Sequence, residues 1–316
     1  MLENVKAILG TMTFGNQVDQ TTANKMVELF LDCGHIEIDT AYTYTNGKSE
    51  TMLGKILKDI DRNTYSIATK AAPRVKGSLR PEAVEEQLST SLKRLGLEYV
   101  DIFYLHMPDL NTPIELTLQA CDKLHKQGKY KTLGLSNYAA WQVAQIASIC
   151  EKNSFVSPQV YQGMYNVLTR QVEAELFPCI REYEISFYAY NPLAAGLLTG
   201  RYQSFEELPE EGRFKVMSFY KDRYWKREYF DVISKLSEAS DASGVSMTAA
   251  ALIWLMQHSA LNGANDDGVI LGVSKLEHLK ENLEFLEKPS LMVEIAEKYN
   301  DAWDRVKGSC PKYFRP

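Results

Sequence analysis

The sequence predicts an α/β fold: a (β/α)8 TIM barrel formed by a single domain over residues 1–316. Short apolar runs rich in β-branched and aromatic residues recur roughly every thirty residues, and a segment with helical periodicity follows each run. No compositional break divides the chain. With 316 residues and 45% hydrophobic content, it can bury the one large core that a barrel of ~250 residues plus insertions requires.

Eight apolar runs fit buried parallel strands. They are 6–11, 36–41, 65–70, 99–106, 130–136, 158–162, 185–190 and 268–272. Between Pro81, which suits a first helical turn, and Gly96, which suits a helix end, one helical face is apolar. A further helix is predicted near 247–258. A doubly wound open sheet would show the same local alternation, so the number of strands alone does not exclude it.

A long interval, 191–267, separates the last two predicted strands. Its first half is irregular, charged and aromatic, and reads RYQSFEELPEEGRFKVMSFYKDRYWKREYF. Segments of this length inside a compact domain usually serve function. We therefore predict a functional long loop after the seventh strand.

Composition excludes several classes of protein. The net charge of −6, with charges of both signs interleaved, lacks the basic excess of a nucleic-acid binder. The five cysteines are widely spaced without a C-x-x-C pair, and the five histidines show no metal-binding spacing. The amino-terminal residues lack a signal-peptide pattern, and no run approaches ~18 apolar residues. We expect a soluble cytoplasmic protein without metal, membrane or nucleic-acid partner.

Polar residues close many of the apolar runs, and active sites of parallel barrels lie at the carboxyl ends of strands. These residues are Asp39, Lys70, His106, Ser136, Asn137, Gln162, Tyr190 and Asn191. Taken singly, Ser136, Asn137, Gln162 or Asn191 could equally cap a strand or meet the next helix. Because these polar residues recur at the carboxyl ends of the strands, they predict an active site at that rim of the barrel.

Four ionisable residues could together protonate a carbonyl oxygen while hydride reaches its carbon. They are Asp39, Tyr44, Lys70 and His106. An ammonium ~4 Å from a phenol, at an effective dielectric of ~20, favours phenolate by ~4 kcal/mol, which would bring the pKa of Tyr44 near neutrality. Asp39 would hold Lys70 charged, and neutral His106 would donate to the carbonyl oxygen. Singly, Tyr44 could be a surface aromatic and Asp39 with Lys70 a structural ion pair.

A second chemistry open to Lys70 is Schiff-base formation, as in an aldolase. Borohydride trapping of a substrate on Lys70 would favour it. A neighbouring Asp39 would keep the amine protonated and weakly nucleophilic, so we favour reduction over the aldolase reaction.

The segments HIEIDTAYTYTNGKSE, ATK and YLHMPD resemble the aldo-keto reductase superfamily. The segments TMTFG, SNYAAWQV, YNPLAAGLLTGRY, SMTAAALIWLMQHS and PKYFR resemble its aflatoxin-aldehyde and succinic semialdehyde reductase branch. The resemblance implies a barrel with a C-terminal tail over the active-site face. It also implies NADPH as cofactor and detoxifying reduction of aldehydes, reactive ketones and dicarbonyls. A homodimer is compatible with it.

Site residues carry over from the family motifs. Asp39, Tyr44, Lys70 and His106 match the catalytic tetrad, with Tyr44 as proton donor. Residues matching cofactor contacts are Thr11, Met12, Asp39, Ser136, Asn137, Gln162, Tyr190, Asn191, Pro192, Leu193, Gly196, Arg201, Arg213, Gly272, Ser274, His278, Glu281 and Asn282. Within this set, the residues at 136, 137 and 162 would hold the nicotinamide carboxamide, Tyr190 would stack on the ring, and 191–201 would wrap the pyrophosphate.

The stretch LGVSKLEHLKENL predicts a helix directly after the eighth strand, opened by a capping box of Ser274 and Glu277. Helix N-termini at this place bind phosphate. The sequence departs from the family pattern at His278, where many relatives carry glutamine, and no basic residue occupies the matching clamp position. Arg201, Arg213 and Lys275 remain available to meet a second phosphate, so NADP(H) is still expected.

Substrate contacts implied by the resemblance are Met12, Tyr44, His106, Arg223 and Arg315. Trp225, Phe14 and Met12 are candidates for an apolar wall of the substrate site, and each could equally belong to the core. Arg223 and Arg315 would bind a carboxylate bidentately, which favours short carboxylated aldehydes as small-molecule substrates. Ordinary solvated arginines are the alternative. A rival function with the same fold is a cofactor-binding regulatory subunit like the potassium-channel β subunits, which would turn over slowly.

Overall fold

Eight parallel strands close into a barrel in the computed structural model, which describes residues 4–73, 78–210, 213–216 and 218–315. Neighbours in the chain are neighbours in the sheet, and the last strand pairs with the first. The strands are β1 Lys6–Gly10, β2 Glu37–Asp39, β3 Ser66–Ala71, β4 Val100–Leu105, β5 Tyr130–Ser136, β6 Pro158–Met164, β7 Ser186–Tyr190 and β8 Gly268–Gly272. The predicted (β/α)8 barrel is confirmed, and the open sheet is excluded.

Helices surround the barrel. Within the described residues they are α1 Gln20–Asp32, α2 Lys48–Leu57, α3 Pro81–Leu95, α4 Ile114–Lys126, α5 Ala140–Asn153, α6 Leu176–Glu182, α7 Arg213–Val216, α8 Ser218–Tyr224, α9 Arg227–Ser243, α10 Met247–Gln257, α11 Leu276–Leu286 and α12 Val293–Val306. As predicted, α3 begins at Pro81 and ends before Gly96, which has a left-handed φ of 68°. In the part of the chain that is described, no helix combines the length and apolarity needed to cross a membrane.

Apolar side chains fill the interior of the barrel below the rim. They come from all but two of the strands and are Ile8, Ala68, Ile102, Tyr104, Val160, Tyr188 and Ile270. At the amino-terminal end, Lys6 Nζ lies 2.6 Å from Glu37 Oε1 and 4.9 Å from the centroid of the Tyr188 ring. These side chains occupy the floor of the barrel, so the opposite end, at the carboxyl ends of the strands, is where a ligand can enter.

Gly134 of β5 faces the barrel interior, where a Cβ atom would lie 2.3 Å from Tyr104 Cδ1. We expect Gly134→Ala to lower the free energy of unfolding by about 2 kcal/mol, because overpacking a dense core displaces its neighbours. Denaturant unfolding followed by circular dichroism would measure the change. Gly308→Ala is the matched control, since nothing lies within 4 Å of its Cβ position. Equal denaturant concentrations at the unfolding midpoint for Gly134→Ala and Gly308→Ala would contradict this packing argument.

Candidate active site

The predicted tetrad assembles at the carboxyl-terminal rim of the barrel. Asp39 ends β2, Lys70 is the penultimate residue of β3, and His106 directly follows β4. Tyr44 lies in the loop after β2, in a short 3-10 turn. The side chains of Asp39, Tyr44 and His106 line an open cavity of about 260 Å³. Lys70 lies beneath this wall and has no exposed surface.

The ammonium group of Lys70 donates in three directions. Its Nζ lies 2.7 and 2.6 Å from the two carboxylate oxygens of Asp39, 2.7 Å from the carbonyl oxygen of Thr40 and 3.4 Å from Tyr44 Oη. An ammonium has three protons and no lone pair, so the Tyr44 oxygen can only accept in this contact. The phenolic proton of Tyr44 is therefore left for a different acceptor.

Burial and charge act in opposite senses on Lys70. Burial lowers the pKa of the ammonium below its ordinary value, and the charges of Asp39 and Glu50 oppose that shift. Asp39 is itself 3% exposed, and one of its oxygens accepts from Gln162 Nε2 at 2.8 Å. The carboxylate is thus fixed from two sides and holds Lys70 in place.

His106 faces Tyr44 across the cavity. The centroids of the two rings are 6.0 Å apart at an interplanar angle of 79°. The backbone of His106 is held on both sides: its N–H donates to the Ala71 carbonyl at 2.8 Å, and its carbonyl accepts from Asn137 Nδ2 at 2.9 Å. A carbonyl group placed between the two rings could approach both polar side chains.

Ser49, at the start of α2, supports the strand ends beneath the site and was not predicted from the sequence. Its hydroxyl lies 2.9 Å from the hydroxyl groups of Thr11 and Thr40, and it donates to the Thr11 carbonyl. Because the Thr40 carbonyl accepts from Lys70, this contact helps to fix one acceptor of the ammonium. The sequence signal was the serine in NGKSE, but its burial was not visible there.

Glu50 forms a second buried contact that the sequence did not reveal. Its carboxylate has no exposed surface and accepts from Thr69 Oγ1 at 2.6 Å and from Arg94 Nη1 at 2.9 Å. Arg94 also donates to the carbonyl of Tyr42 at 3.0 Å. Arg94 therefore joins α3 to α2 through the ion pair and to the loop that carries Tyr44 through the hydrogen bond to Tyr42.

Asn137 connects several parts of the site. It adopts a left-handed φ of 63°, a conformation that asparagine tolerates better than most residues. Its Nδ2 donates to the His106 carbonyl and to Ser136 Oγ, each at 2.9 Å, and its Oδ1 accepts from the Tyr190 hydroxyl at 2.7 Å. The positions predicted to hold a nicotinamide thus lie together on one wall.

Most predicted site residues line the cavity. They are Thr11, Met12, Asp39, Tyr44, His106, Ser136, Asn137, Gln162, Tyr190, Asn191, Pro192, Arg223, Gly272 and Arg315. Lining residues that the sequence analysis missed are Gly10, Met107, Phe219, Tyr220 and Ile270. Phe219 and Arg223 are four residues apart on α8, a spacing that places both on one face of a helix.

The structure places Trp225 away from the cavity wall, against the expectation that it contacts substrate. Its ring is 7% exposed and packs against Phe214 and Phe230 at centroid distances of 5.0 and 4.8 Å. Its Nε1 donates to the Phe205 carbonyl at 2.9 Å. The N–H of Trp225 still makes a helical hydrogen bond to the Lys221 carbonyl, and residues two apart on a helix do not share a face, so the ring lies on a different side from Arg223.

The loop after β7 has an unusual backbone. Asn191, Ala194, Ala195 and Gly196 have left-handed φ values of 58°, 48°, 59° and 106°. Such a conformation costs an alanine about 1–2 kcal/mol, and strain of this kind often marks ligand-binding loops. Among the described residues, the buried Nδ2 of Asn191 has no hydrogen-bond partner.

The outer predicted cofactor contacts lie beyond the cavity wall. Leu193 and Gly196 belong to the loop after β7, and Arg201 is exposed beside the Tyr202 ring. Arg213 begins α7, and its side chain lies outside the described parts of the chain. On the far side of the site, His278 and Glu281 are exposed on α11, Asn282 is buried, and Ser274 precedes the helix.

The predicted capping box at Ser274 and Glu277 is wrong. Helix α11 begins at Leu276, so Lys275 occupies the N-cap position, and no side chain caps it. Ser274 lies one residue too early to accept from the first amides. In the described part of the chain, no side-chain cap is seen at this helix start, which follows β8 at the place where phosphate groups bind in other barrels.

Comparison with known proteins identifies the family. A model described as "Aldo/keto reductase family" matches residues 6–301. The chain belongs to the aldo-keto reductase family. This confirms the resemblance seen in the sequence and makes the protein an oxidoreductase of a family that acts on small carbonyl compounds and generally uses a nicotinamide cofactor.

Individual aldo-keto reductases align with almost the whole chain. The human "Aflatoxin B1 aldehyde reductase member 2" is 48% identical over 322 residues, which cover 98% of this chain and 90% of the relative. The human "Aldo-keto reductase family 7 member A3" is 47% identical over 319 residues, covering 98% and 96%. A rat "Aflatoxin B1 aldehyde reductase member 2" is 48% identical and covers 98% and 87%. The predicted aflatoxin-aldehyde reductase branch is therefore confirmed.

Proposed function

We propose that this aldo-keto reductase uses NADPH to reduce aldehydes, reactive ketones and dicarbonyls to alcohols, with Tyr44 as the proton donor and a preference for short carboxylated aldehydes. The observation that carries the proposal is the contact of 3.4 Å between Lys70 Nζ and the Tyr44 hydroxyl at the wall of the cavity. The names of the relatives, which specify an aldehyde reductase, support the substrate class.

The residues at the site fit a nicotinamide dinucleotide. The unpartnered Nδ2 of Asn191 and the left-handed turns that follow offer donors for an anionic group, as backbone nests do. Ser136, Asn137 and Gln162 would hold the carboxamide, and the ring of Tyr190 would carry the nicotinamide. Arg201, Arg213 and Lys275, together with the uncapped start of α11, would meet the phosphates, and Ser274, Glu281 and Asn282 the adenosine. When bound, the reduced nicotinamide supplies the hydride.

The protein's own residues supply the proton for the substrate oxygen and the positive charge that stabilises the phenolate. Tyr44 transfers its phenolic proton to the substrate oxygen, because the phenol oxygen accepts from Lys70 and its own proton is therefore donated in another direction. The Lys70 ammonium then stabilises the phenolate that remains. His106 donates to the same oxygen and orients it. Asp39 keeps the ammonium in place throughout.

The geometry opposes the aldolase alternative. Lys70 has no exposed surface, and its Nζ is enclosed by oxygen acceptors of Asp39, Thr40 and Tyr44. A Schiff base requires a neutral amine that reaches the substrate carbon. Lys70 meets neither condition in this arrangement.

Two arginines carry the proposed carboxylate preference. Arg223 and Arg315 line the cavity. Among the described residues, the arginines paired with a carboxylate are Arg62, Arg94, Arg170, Arg181 and Arg227. Within the described residues, neither Arg223 nor Arg315 is paired with a protein carboxylate, and a substrate carboxylate could take that place.

A direct assay tests the proposed function. Purified protein should oxidise NADPH in the presence of succinic semialdehyde or 4-nitrobenzaldehyde with a turnover of about 1 s⁻¹ or more, and NADH should serve less well. If the protein binds NADPH but reduces neither aldehyde above background, the proposed reductase function is wrong. The hypothesis of a cofactor-binding regulatory subunit then replaces it.

Arg315→Ala tests the carboxylate preference. We expect KM for succinic semialdehyde to rise at least about tenfold, because a charge-assisted hydrogen bond contributes about 1.5–3 kcal/mol. KM for neutral 4-nitrobenzaldehyde should change by less than about twofold, as measured by initial rates. Arg227→Ala, which removes an exposed arginine paired with Glu206, is the control. Equal increases for both aldehydes would reject a carboxylate clamp.

A further inference from the structure

The segment 309–315 is tied to the barrel before it reaches the cavity. Lys226 Nζ donates to the Ser309 carbonyl. Tyr313 is 4% exposed, and its backbone N–H donates to Gln171 Oε1 at 3.2 Å. Ends of chains are generally poorly ordered unless such contacts hold them.

The hydroxyl group of Tyr313 makes two further hydrogen bonds. It accepts from the backbone N–H of Ala140 at 3.0 Å and donates to Glu175 Oε2 at 3.0 Å. Ala140 is the first residue of α5, so this amide has no acceptor within its own helix. Burial raises the pKa of Tyr313 to about 12, and the phenol therefore keeps its proton for Glu175 at neutral pH.

Two residues further on, Arg315 is held through its main chain. Its N–H donates to the Asn137 carbonyl at 2.9 Å, and its side chain lines the cavity although the residue is exposed. A guanidinium on an unanchored segment would have to be ordered by the substrate, and that cost would reduce affinity. The contacts of Tyr313 remove this cost in advance.

We propose that Tyr313 is a positioning residue that sets substrate specificity, because its hydroxyl fixes the segment that presents Arg315 to a carboxylated aldehyde. This inference rests on the proposed function of Arg315. Ala140 and Glu175, the partners of the hydroxyl, are not among the residues that line the cavity. The loss of the hydroxyl should therefore change recognition of a carboxylate while the reduction of a neutral aldehyde continues.

Tyr313→Phe tests the inference, because it removes the two hydroxyl hydrogen bonds and keeps the ring. We expect KM for succinic semialdehyde to rise about tenfold, and kcat and KM for 4-nitrobenzaldehyde to stay within about twofold. In a Tyr313→Phe/Arg315→Ala double variant, KM should not exceed that of Arg315→Ala alone, since both changes act through one group. Tyr130→Phe is the matched control: it removes another buried hydroxyl, which donates to the Cys121 carbonyl at 2.8 Å.

A readout without substrate accompanies the kinetics. Lys312 is exposed and adjoins the anchor, so trypsin should cleave after it at least about threefold faster in Tyr313→Phe than in the native protein or in Tyr130→Phe. Mass spectrometry of the released end would follow the cut. Unchanged cleavage, or an equal rise in KM for both aldehydes, overturns the role of Tyr313 even when Arg315→Ala is selective. If Arg315→Ala itself is unselective, the carboxylate clamp fails, and the inference fails with it.

Discussion

Tyr44→Phe is expected to lower kcat/KM for aldehyde reduction by about 10³-fold or more, because general acid catalysis by a positioned side chain contributes 10²–10⁴-fold. The variant keeps the ring that packs against His106 and removes only the oxygen that Lys70 contacts at 3.4 Å. The dissociation constant for NADPH should stay within about twofold, since the phenol acts on the substrate oxygen. Initial rates and fluorescence titration of the cofactor would measure the two quantities.

The control for this variant is Tyr183→Phe, which removes a hydroxyl from an exposed tyrosine that does not line the cavity. It should leave kcat/KM unchanged. Retention of most activity by Tyr44→Phe would refute the assignment of the proton donor. A loss of cofactor affinity equal to the loss of activity would instead show that the tyrosine serves binding.

Lys70→Met is expected to have two separable effects. Activity should fall by about 10²-fold or more, because the charge that stabilises the phenolate is gone. The free energy of unfolding should fall by about 3–5 kcal/mol, because the buried carboxylate of Asp39 loses its partner. Denaturant unfolding would measure the second effect and initial rates the first.

A double variant separates the two effects of this substitution. Lys70→Met combined with Asp39→Asn removes both charges, and the new amide oxygen can still accept from Gln162 Nε2. Stability should recover most of the loss, while activity stays low. Full recovery of activity together with stability would show that the ion pair is only structural, and the proposed mechanism would then be wrong.

Strand positions were predictable where apolar runs coincide with a complete strand. The runs 130–136 and 268–272 match β5 and β8 to the residue. Elsewhere, a polar residue was wrongly taken as the end of a strand. The predicted strand that ends at Gln162 continues in β6 to Met164. It does so because Gly163 and Met164 pair with Ala189 and Tyr190 of β7. Pairing with a neighbouring strand, which a single sequence does not display, decides where a strand stops.

The residues of the site were predictable at strand ends and less so elsewhere. Asp39, Lys70 and His106 follow from one rule, that parallel strands bring their carboxyl ends together. Phe219, Tyr220 and the position of Trp225 depend on how the long loop folds, and that loop has no simple periodicity. The burial of Glu50 depends on Arg94, which is far away in the chain. Contacts between distant polar residues leave no local pattern.

The placement of the two arginines has a consequence for redesigning this enzyme. Arg223 stands on α8 and Arg315 on the terminal segment, whereas Asp39, Lys70 and His106 belong to β2, β3 and the end of β4. Libraries randomised at Phe219, Tyr220 and Arg223 can thus exchange the accepted aldehyde without disturbing proton delivery. Substitution of the Arg315 side chain should leave the contact with Asn137 in place as well, because that hydrogen bond comes from the main-chain N–H of Arg315.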